Sequence, residues 1–255
     1  MIANSNKKEL NRQYFVWGMV LISVGFSFAC SRMANSDGRS AVALNLLIFI
    51  SCVFYTFKTR DKALACLLFS AMVFGVVELL ADFLCVRSTR TLDYSMAHSA
   101  LLLESPWWMP LSWALVALQV GTLGNRAIER FGFIRGALLT GVLGASLIPF
   151  YEEMAWGAHW WRYKNCLMLG HTPVYIIVAE FVIGAGLALW GHFTLRTECY
   201  RRAAQLGAMA GLVTVLGGLV GWGLVEFIGR GARPVWPPSP VPSSQSWEEG
   251  ERGGS

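Results

Sequence analysis

Apolar and polar positions along the chain separate into seven long apolar runs joined mostly by short polar connections. The runs cover roughly 14–30, 41–57, 63–85, 107–124, 133–151, 173–195 and 206–228. A helix needs about 20 mainly apolar residues to cross the hydrocarbon core of a bilayer. Each run reaches or approaches that length, the first two by extending into their polar flanks. The runs are continuous rather than alternating, which favours helices over the strands of a membrane barrel. The pattern predicts an all-α fold: a polytopic membrane protein with a seven-transmembrane-helix bundle over 14–228. Residues 1–13 read as an N-terminal segment. They are long for the leading region of a signal peptide and include Glu9, so the first run is taken as a true span. Gly229 to Ser255 holds five of the nine Pro along with Ser, Gly and charges, and is expected to be a disordered, flexible C-terminal tail.

Composition sharpens this picture. The 255 residues are 55% hydrophobic and 15% charged, with mean hydropathy +0.47. Soluble domains carry about 25% charged residues, so an ordinary water-soluble enzyme is disfavoured. The net charge of +5 comes from 21 basic residues scattered between apolar runs. They form no concentrated patch, and no nucleic-acid partner is expected. Six Cys in a chain of this length do not make a disulfide framework, and apolar free thiols are the better expectation.

Two connections are long, 86–106 and 152–172, each about 21 residues. Loops beyond about 12–15 residues are usually functional or disordered. These two are rich in Trp, Tyr, His and Pro, which favours function. Lys and Arg set the orientation. Twelve of them (Lys7, Lys8, Arg12, Lys58, Arg60, Lys62, Arg126, Arg130, Arg135, Arg196, Arg201 and Arg202) lie in short segments on one side. The other nine are spread over longer segments. The N-terminus is therefore expected to be cytoplasmic and the C-terminus non-cytoplasmic.

The carboxylates carry the functional argument. An ionised group near the bilayer centre costs at least about 2.5–3.5 kcal/mol on insertion scales, so such groups tend to face the bundle interior. Glu78 and Asp82 lie in the third run, Glu180 in the sixth and Glu226 in the seventh, and Glu152 and Glu153 close the fifth. Threaded through seven spans, all six fall in the outer half, at the end where the two long loops emerge. Glu78 and Asp82 are four apart and share a helical face. Two carboxylates so close repel when both are ionised, so the pair is expected to keep a proton. Glu78, Asp82, Glu152, Glu153 and Glu180 are the candidate catalytic acids.

Aromatic and polar side chains around them are candidate substrate contacts. Tyr94 precedes Trp107, Trp108 and Trp113 in the first long loop and the helix after it. Pro106 and Pro110 there suit a helix start. In the second loop, continued helix would place Glu152, Trp156 and His159 on one face and Glu153 and Trp160 on another. His171, Tyr175 and Glu226 complete the set. The bland alternative for the tryptophans is an interfacial aromatic belt. His98, His159 and His171 share the outer side with the acids, but no His-Glu-x-x-His occurs, and no metal site or cofactor is expected. Nucleophile-elbow, phosphate-loop and paired Asp-rich motifs are missing as well. Gly207-Ala-Met-Ala-Gly211 and Gly217-Gly-Leu-Val-Gly221 are small-xxx-small patterns. They predict close packing within the bundle or, through the Gly-rich helix 206–228, a homo-oligomer.

The succession Gly75-Val-Val-Glu78, Tyr94, Ser105-Pro-Trp-Trp-Met-Pro-Leu-Ser-Trp113, Pro149, Trp160, Trp161 and Gly170-His-Thr-Pro173 resembles the carotenoid 1,2-hydratase type of membrane protein. Through it, the chain is similar to other small multi-span enzymes of isoprenoid cyclisation and hydration. The resemblance covers about residues 70–185. Where those proteins have an Asp just before the proline, this chain has Ile148-Pro149, and its acids follow as Glu152 and Glu153. The resemblance implies that Glu78 is an acid and that Trp113 and Trp160 line a cavity. It implies protonation of an alkene in a terpenoid, carotenoid or sterol-like lipid that arrives from the bilayer, followed by capture of the cation by water or an internal alkene. Two other readings of the same residues are a non-enzymatic carrier or receptor for a cationic or amphipathic small molecule, and a metal-dependent lipid hydrolase.

Overall fold

A computed structural model describes residues 2–231, and the expected tail lies almost wholly outside the described residues. Seven long helices follow one another: α1 (Ile2–Cys30), α2 (Gly38–Thr59), α3 (Lys62–Phe83), α4 (Met109–Phe131), α5 (Phe133–Gly157), α6 (Val174–Thr194) and α7 (Tyr200–Trp222). Wider π-type turns prolong α3 through Leu84–Ser88 and α7 through Gly223–Ile228. Six short strands sit in the two long loops: β1 (Leu92–Asp93), β2 (Leu101–Leu102) and β3 (Ser105–Pro106) in the first, β4 (Arg162–Tyr163), β5 (Met168–Leu169) and β6 (Thr172–Pro173) in the second.

Local chemistry explains the helix ends. Asp37 caps α2 by accepting from the Arg39 N–H at 2.8 Å. Asp61 caps α3 by accepting from Leu64 N–H at 3.1 Å. Pro110 stands in the first turn of α4, where its missing N–H leaves nothing unpaired. α5 runs through Pro149 and ends at Gly157. The chain then turns, with His159 at φ 56°. α5 therefore stops before 158–163, and neither His159 nor Trp160 shares a helix face with the glutamates.

Six helical segments are long and apolar enough to cross a membrane: Lys7–Cys30, Gly38–Thr59, Lys62–Ser88, Phe133–Gly157, Val174–Thr194 and Tyr200–Ile228. The chain is a multi-pass membrane protein. Its outward faces carry the apolar side chains that lipid would cover, among them Leu21, Ile50, Phe54, Leu143 and Leu216. α4 is the one of the seven without a stretch apolar enough by that standard, and it packs against α3, α5 and α6 and also touches α1 and α2. Its polar side chains meet protein. Asn45 Nδ2 donates to Ser112 Oγ, Gln119 Nε2 to Ser23 Oγ at 3.2 Å, and Arg196 Nη1 to Asn125 Oδ1 at 2.7 Å.

Small residues set the helix spacing. Gly191 of α6 lies directly on the backbone of Gly121 of α4. The α7 glycines seen in the sequence are used inside the chain: Gly207 and Gly211 sit on α3, Gly217 and Gly221 on α6. Gly218, by contrast, has open space around it. Gly191→Leu should force α4 and α6 apart and destabilise the bundle by about 1–3 kcal/mol. Gly218→Ala should be neutral or slightly stabilising, because Ala is the better helix residue. Thermal unfolding of the two variants in detergent checks both.

Candidate functional site

The two long loops close on each other at the end of the bundle where α3, α5 and α7 finish and α6 begins. β1 and β4 pair antiparallel, Leu92 opposite Tyr163 and Asp93 opposite Arg162. Lys164 N–H donates to Thr91 O at 2.9 Å, and Asn165 Nδ2 to Arg90 O at 3.1 Å. Asp93 receives Arg162 Nη2 and Lys164 Nζ, each at 3.0 Å. Partial burial opposes ionisation of Asp93. Hydrogen bonds from Ser95 and Lys164 outweigh it and hold the carboxyl below its ordinary range. Within the first loop Arg87 pairs with Glu104, and β2–β3 and β5–β6 make a small hairpin in each loop.

Beneath this cap the acids collect. Glu78 is 1% exposed and Asp82 5%, and one helical turn apart their carboxyl groups are within electrostatic reach of each other. Asp82 Oδ2 accepts from Tyr94 O–H at 2.6 Å and Ser105 O–H at 2.8 Å, both from the first loop. Glu152 is buried as well. Its Oε2 accepts from Trp161 Nε1 at 2.6 Å and its Oε1 from Tyr163 O–H at 3.5 Å, both from the second loop. Glu180 of α6 is within electrostatic reach of Glu78 and Glu152, and Glu152 is within reach of Asp82. Four helix-borne carboxyl groups thus share one site, each long loop supplying donors to one of them. Burial and the adjacent carboxyl hold the phenols of Tyr94 (beside Asp82) and Tyr163 (beside Glu152) well above their ordinary range, so both remain donors. One acceptor is left over: Glu78 Oε2 is buried without a hydrogen-bond partner. The indole N–H of Trp108, also buried, is likewise unpaired.

The other sequence candidates divide. Tyr175 is fully buried, with its hydroxyl 2.7 Å from Thr91 Oγ1, so it ties α6 to the first loop. Trp160 is buried and donates to Ser40 Oγ at 2.8 Å, and His159 Nδ1 lies 3.2 Å from Ser36 O. Both bind the second loop to the start of α2. Trp113 packs edge-on against Phe74 of α3. Glu226 is fully buried but already satisfied, accepting from Leu167 N–H at 2.7 Å and Arg230 Nη1 at 2.8 Å. It anchors the second loop to the end of α7. Glu153, Trp156 and His171 form a separate surface group: Trp156 stacks on His171 with ring centroids 3.7 Å apart, and His171 Nδ1 is 2.7 Å from Glu153 Oε2. Trp107 is exposed. Of the adjacent glutamates, Glu152 therefore points inward and Glu153 outward.

Sequence reasoning passed over Ser105, Trp161, Tyr163 and Tyr151. Ser105 and Trp161 stood inside stretches already singled out for their tryptophans, yet a lone Ser or one more Trp carries no signal of its own. Tyr151 adjoins Glu152 and is within electrostatic reach of Glu180. Among the described residues no three His, Cys, Asp or Glu side chains converge to hold a metal ion. The six cysteines are unbridged.

The Asp93 contacts make the cap sensitive to acid. Because the folded carboxyl titrates below its unfolded value, its contribution is complete above about pH 4 and is lost as pH falls through the folded value. Asp93→Asn should raise amide hydrogen exchange at 91–94 and 162–165, corrected for intrinsic rate, at neutral pH. Wild-type protein should lose the same protection only on acidification below about pH 4, and the variant should show no such step.

No curated protein and no solved structure matches the chain. One family model does, described as a domain of unknown function, DUF6989, over residues 79–225. The matched region holds Asp82, both long loops, Glu152 and Glu180, and it starts one residue after Glu78. It takes in more than half of the sequence, and the chain belongs to the DUF6989 family.

Proposed function

We propose that the protein is an integral membrane enzyme that uses its buried carboxylic acids to protonate an alkene of an isoprenoid-type lipid, leading to cyclisation or hydration. One observation carries this reading: Glu78 presents a buried, unpartnered carboxyl oxygen one helical turn from the buried Asp82. Two ionised carboxylates one helical turn apart and out of water repel each other, so the pair favours keeping one proton. Asp82 takes two hydroxyl donors on its Oδ2 and is the better holder of negative charge. That leaves the proton on Glu78, away from water, where an acid meets the demand of alkene protonation. Proton transfer leaves the new negative charge on Glu78, where the carbocation beside it offsets that charge until the proton released when water or an alkene captures the cation returns to Glu78. A carbocation formed there finds aromatic faces, each worth about 0.5–2 kcal/mol by cation–π attraction, and Trp161 and Tyr163 stand across the site on Glu152.

All seven long helices are taken to cross the membrane in this reading, α4 because α1, α2, α3, α5 and α6 pack around it and relieve it of lipid contact. The denser Lys and Arg content of the short connections supports a cytoplasmic N-terminus and places the carboxyl site toward the non-cytoplasmic leaflet. A substrate of this kind reaches the site sideways from the bilayer, with no cofactor.

Glu78→Gln keeps the shape and removes the acid. In a host producing carotenoids or sterols, the variant should lower product formation by about 10²-fold or more, read by mass spectrometry of lipid extracts. Tyr94→Phe should lower it by about 10- to 100-fold, the effect of one lost charge-assisted hydrogen bond. Undiminished product from Glu78→Gln would overturn the assignment. Saturable binding of an amine without any chemical change in the lipids would favour a carrier instead.

A further inference from the structure

The opposite end of the bundle holds a second polar site. α3 starts at Lys62, and Asp82 lies twenty residues along it, about 30 Å at 1.5 Å per residue. At this far end α1, the end of α2 and the α2–α3 turn border an open cavity of about 280 Å³, lined by Lys7, Lys8, Asn11, Tyr55, Thr59 and Asp61.

Its single carboxylate is already neutralised. Arg12 Nη1 lies 3.1 Å from Asp61 Oδ1 and 3.3 Å from Oδ2, with both side chains largely buried, and the Leu64 N–H donates to Oδ1 at 3.1 Å. Lys7 and Lys8 are exposed and pair with no carboxylate among the described residues. The Tyr55 ring stacks on Phe15 with centroids 4.1 Å apart, which holds its phenol in place. Thr59 Oγ1 donates to Tyr55 O at 2.8 Å, so its proton is already used. What remains for a ligand is two ammonium groups, the Asn11 amide and the Tyr55 hydroxyl. This donor-rich set suits a phosphate.

We infer that this cavity binds the phosphate of an anionic glycerophospholipid. Its setting selects the lipid over a soluble phosphate. Leu10, Tyr14, Phe54 and Phe57, which flank the lining residues in sequence, are all exposed, Phe57 to 84%, and give acyl chains an apolar surface beside the charged pocket. Basic pockets between membrane helices are recognised sites for lipid headgroups, and each Lys or Arg near an anionic surface adds appreciable attraction. The site is remote from the carboxyl groups and does not depend on their chemistry.

Native mass spectrometry of the detergent-purified full chain tests it, titrating dioleoylphosphatidylglycerol, dioleoylphosphatidylcholine and sn-glycerol 3-phosphate separately. A one-to-one adduct with phosphatidylglycerol is expected, with phosphatidylcholine at least about tenfold weaker. Lys7→Ala with Lys8→Ala should weaken the anionic lipid by about tenfold or more. Tyr55→Phe, which keeps the ring stack, should weaken it by a few fold. The inference is overturned by equal binding of phosphatidylcholine, by glycerol 3-phosphate as tight as the lipid, or by a folded double variant of undiminished affinity. Should the double variant not fold, undiminished affinity in both Lys8→Gln and Tyr55→Phe overturns it equally.

Discussion

Carboxyl groups placed inside an apolar helical bundle need donors, and helices have few to give, because their N–H groups are committed to their own backbone. That constraint shapes this protein. Asp82 draws on Tyr94 and Ser105, Glu152 on Trp161 and Tyr163, and Glu226 on the Leu167 N–H. Every one of these donors comes from one of the two long loops. A buried polar group left unpaired costs about 1–3 kcal/mol, more if charged, so the loops and the acids stabilise each other. The loops are ordered because the acids hold them, and the acids can be buried because the loops cover them.

Against that background the unpaired oxygen of Glu78 stands out. The same cap that supplies Asp82 with two hydroxyls leaves its neighbour with an acceptor unmet. Cores normally eliminate such atoms. A carboxyl pair with unequal partners separates proton from charge, and that separation is the physical basis of the proposed acid chemistry. The far end of the bundle uses charge differently: Arg12 and Asp61 cancel inside the fold, and Lys7 and Lys8 stay at the surface. One end of the molecule hides carboxyl groups from water, and the other turns ammonium groups toward it.

The helices were legible because their signal is local. Each apolar run could be read from its own residues, and Pro110 marked the start of α4 for the same reason. The convergence of Glu78, Asp82, Glu152 and Glu180 was legible in outline, since threading alone aligned their depths. The sequence also misled. Continued helix through 152–160 would have grouped His159 and Trp160 with the glutamates, but α5 ends at Gly157 and sends both to α2. Adjacent Glu152 and Glu153 were equivalent on paper and proved opposite, one held beneath the cap and the other exposed beside His171.

By itself, then, the order of residues determined the long apolar helices, the multi-pass character of the chain and the end of the bundle at which its acids lie. Helix propensity, hydropathy and depth are properties of short stretches, and no distant partner is needed to read them. Only the tertiary structure decided which acids gather, which hydroxyl or indole Asp82 and Glu152 receive, and that Glu78 is left with an unmet oxygen. Those outcomes depend on loops whose residues are far apart in the chain, such as Asp93 and Arg162 or Thr91 and Tyr175. Such pairings arise from packing and hydrogen bonding across the fold, for which the linear pattern carries no period.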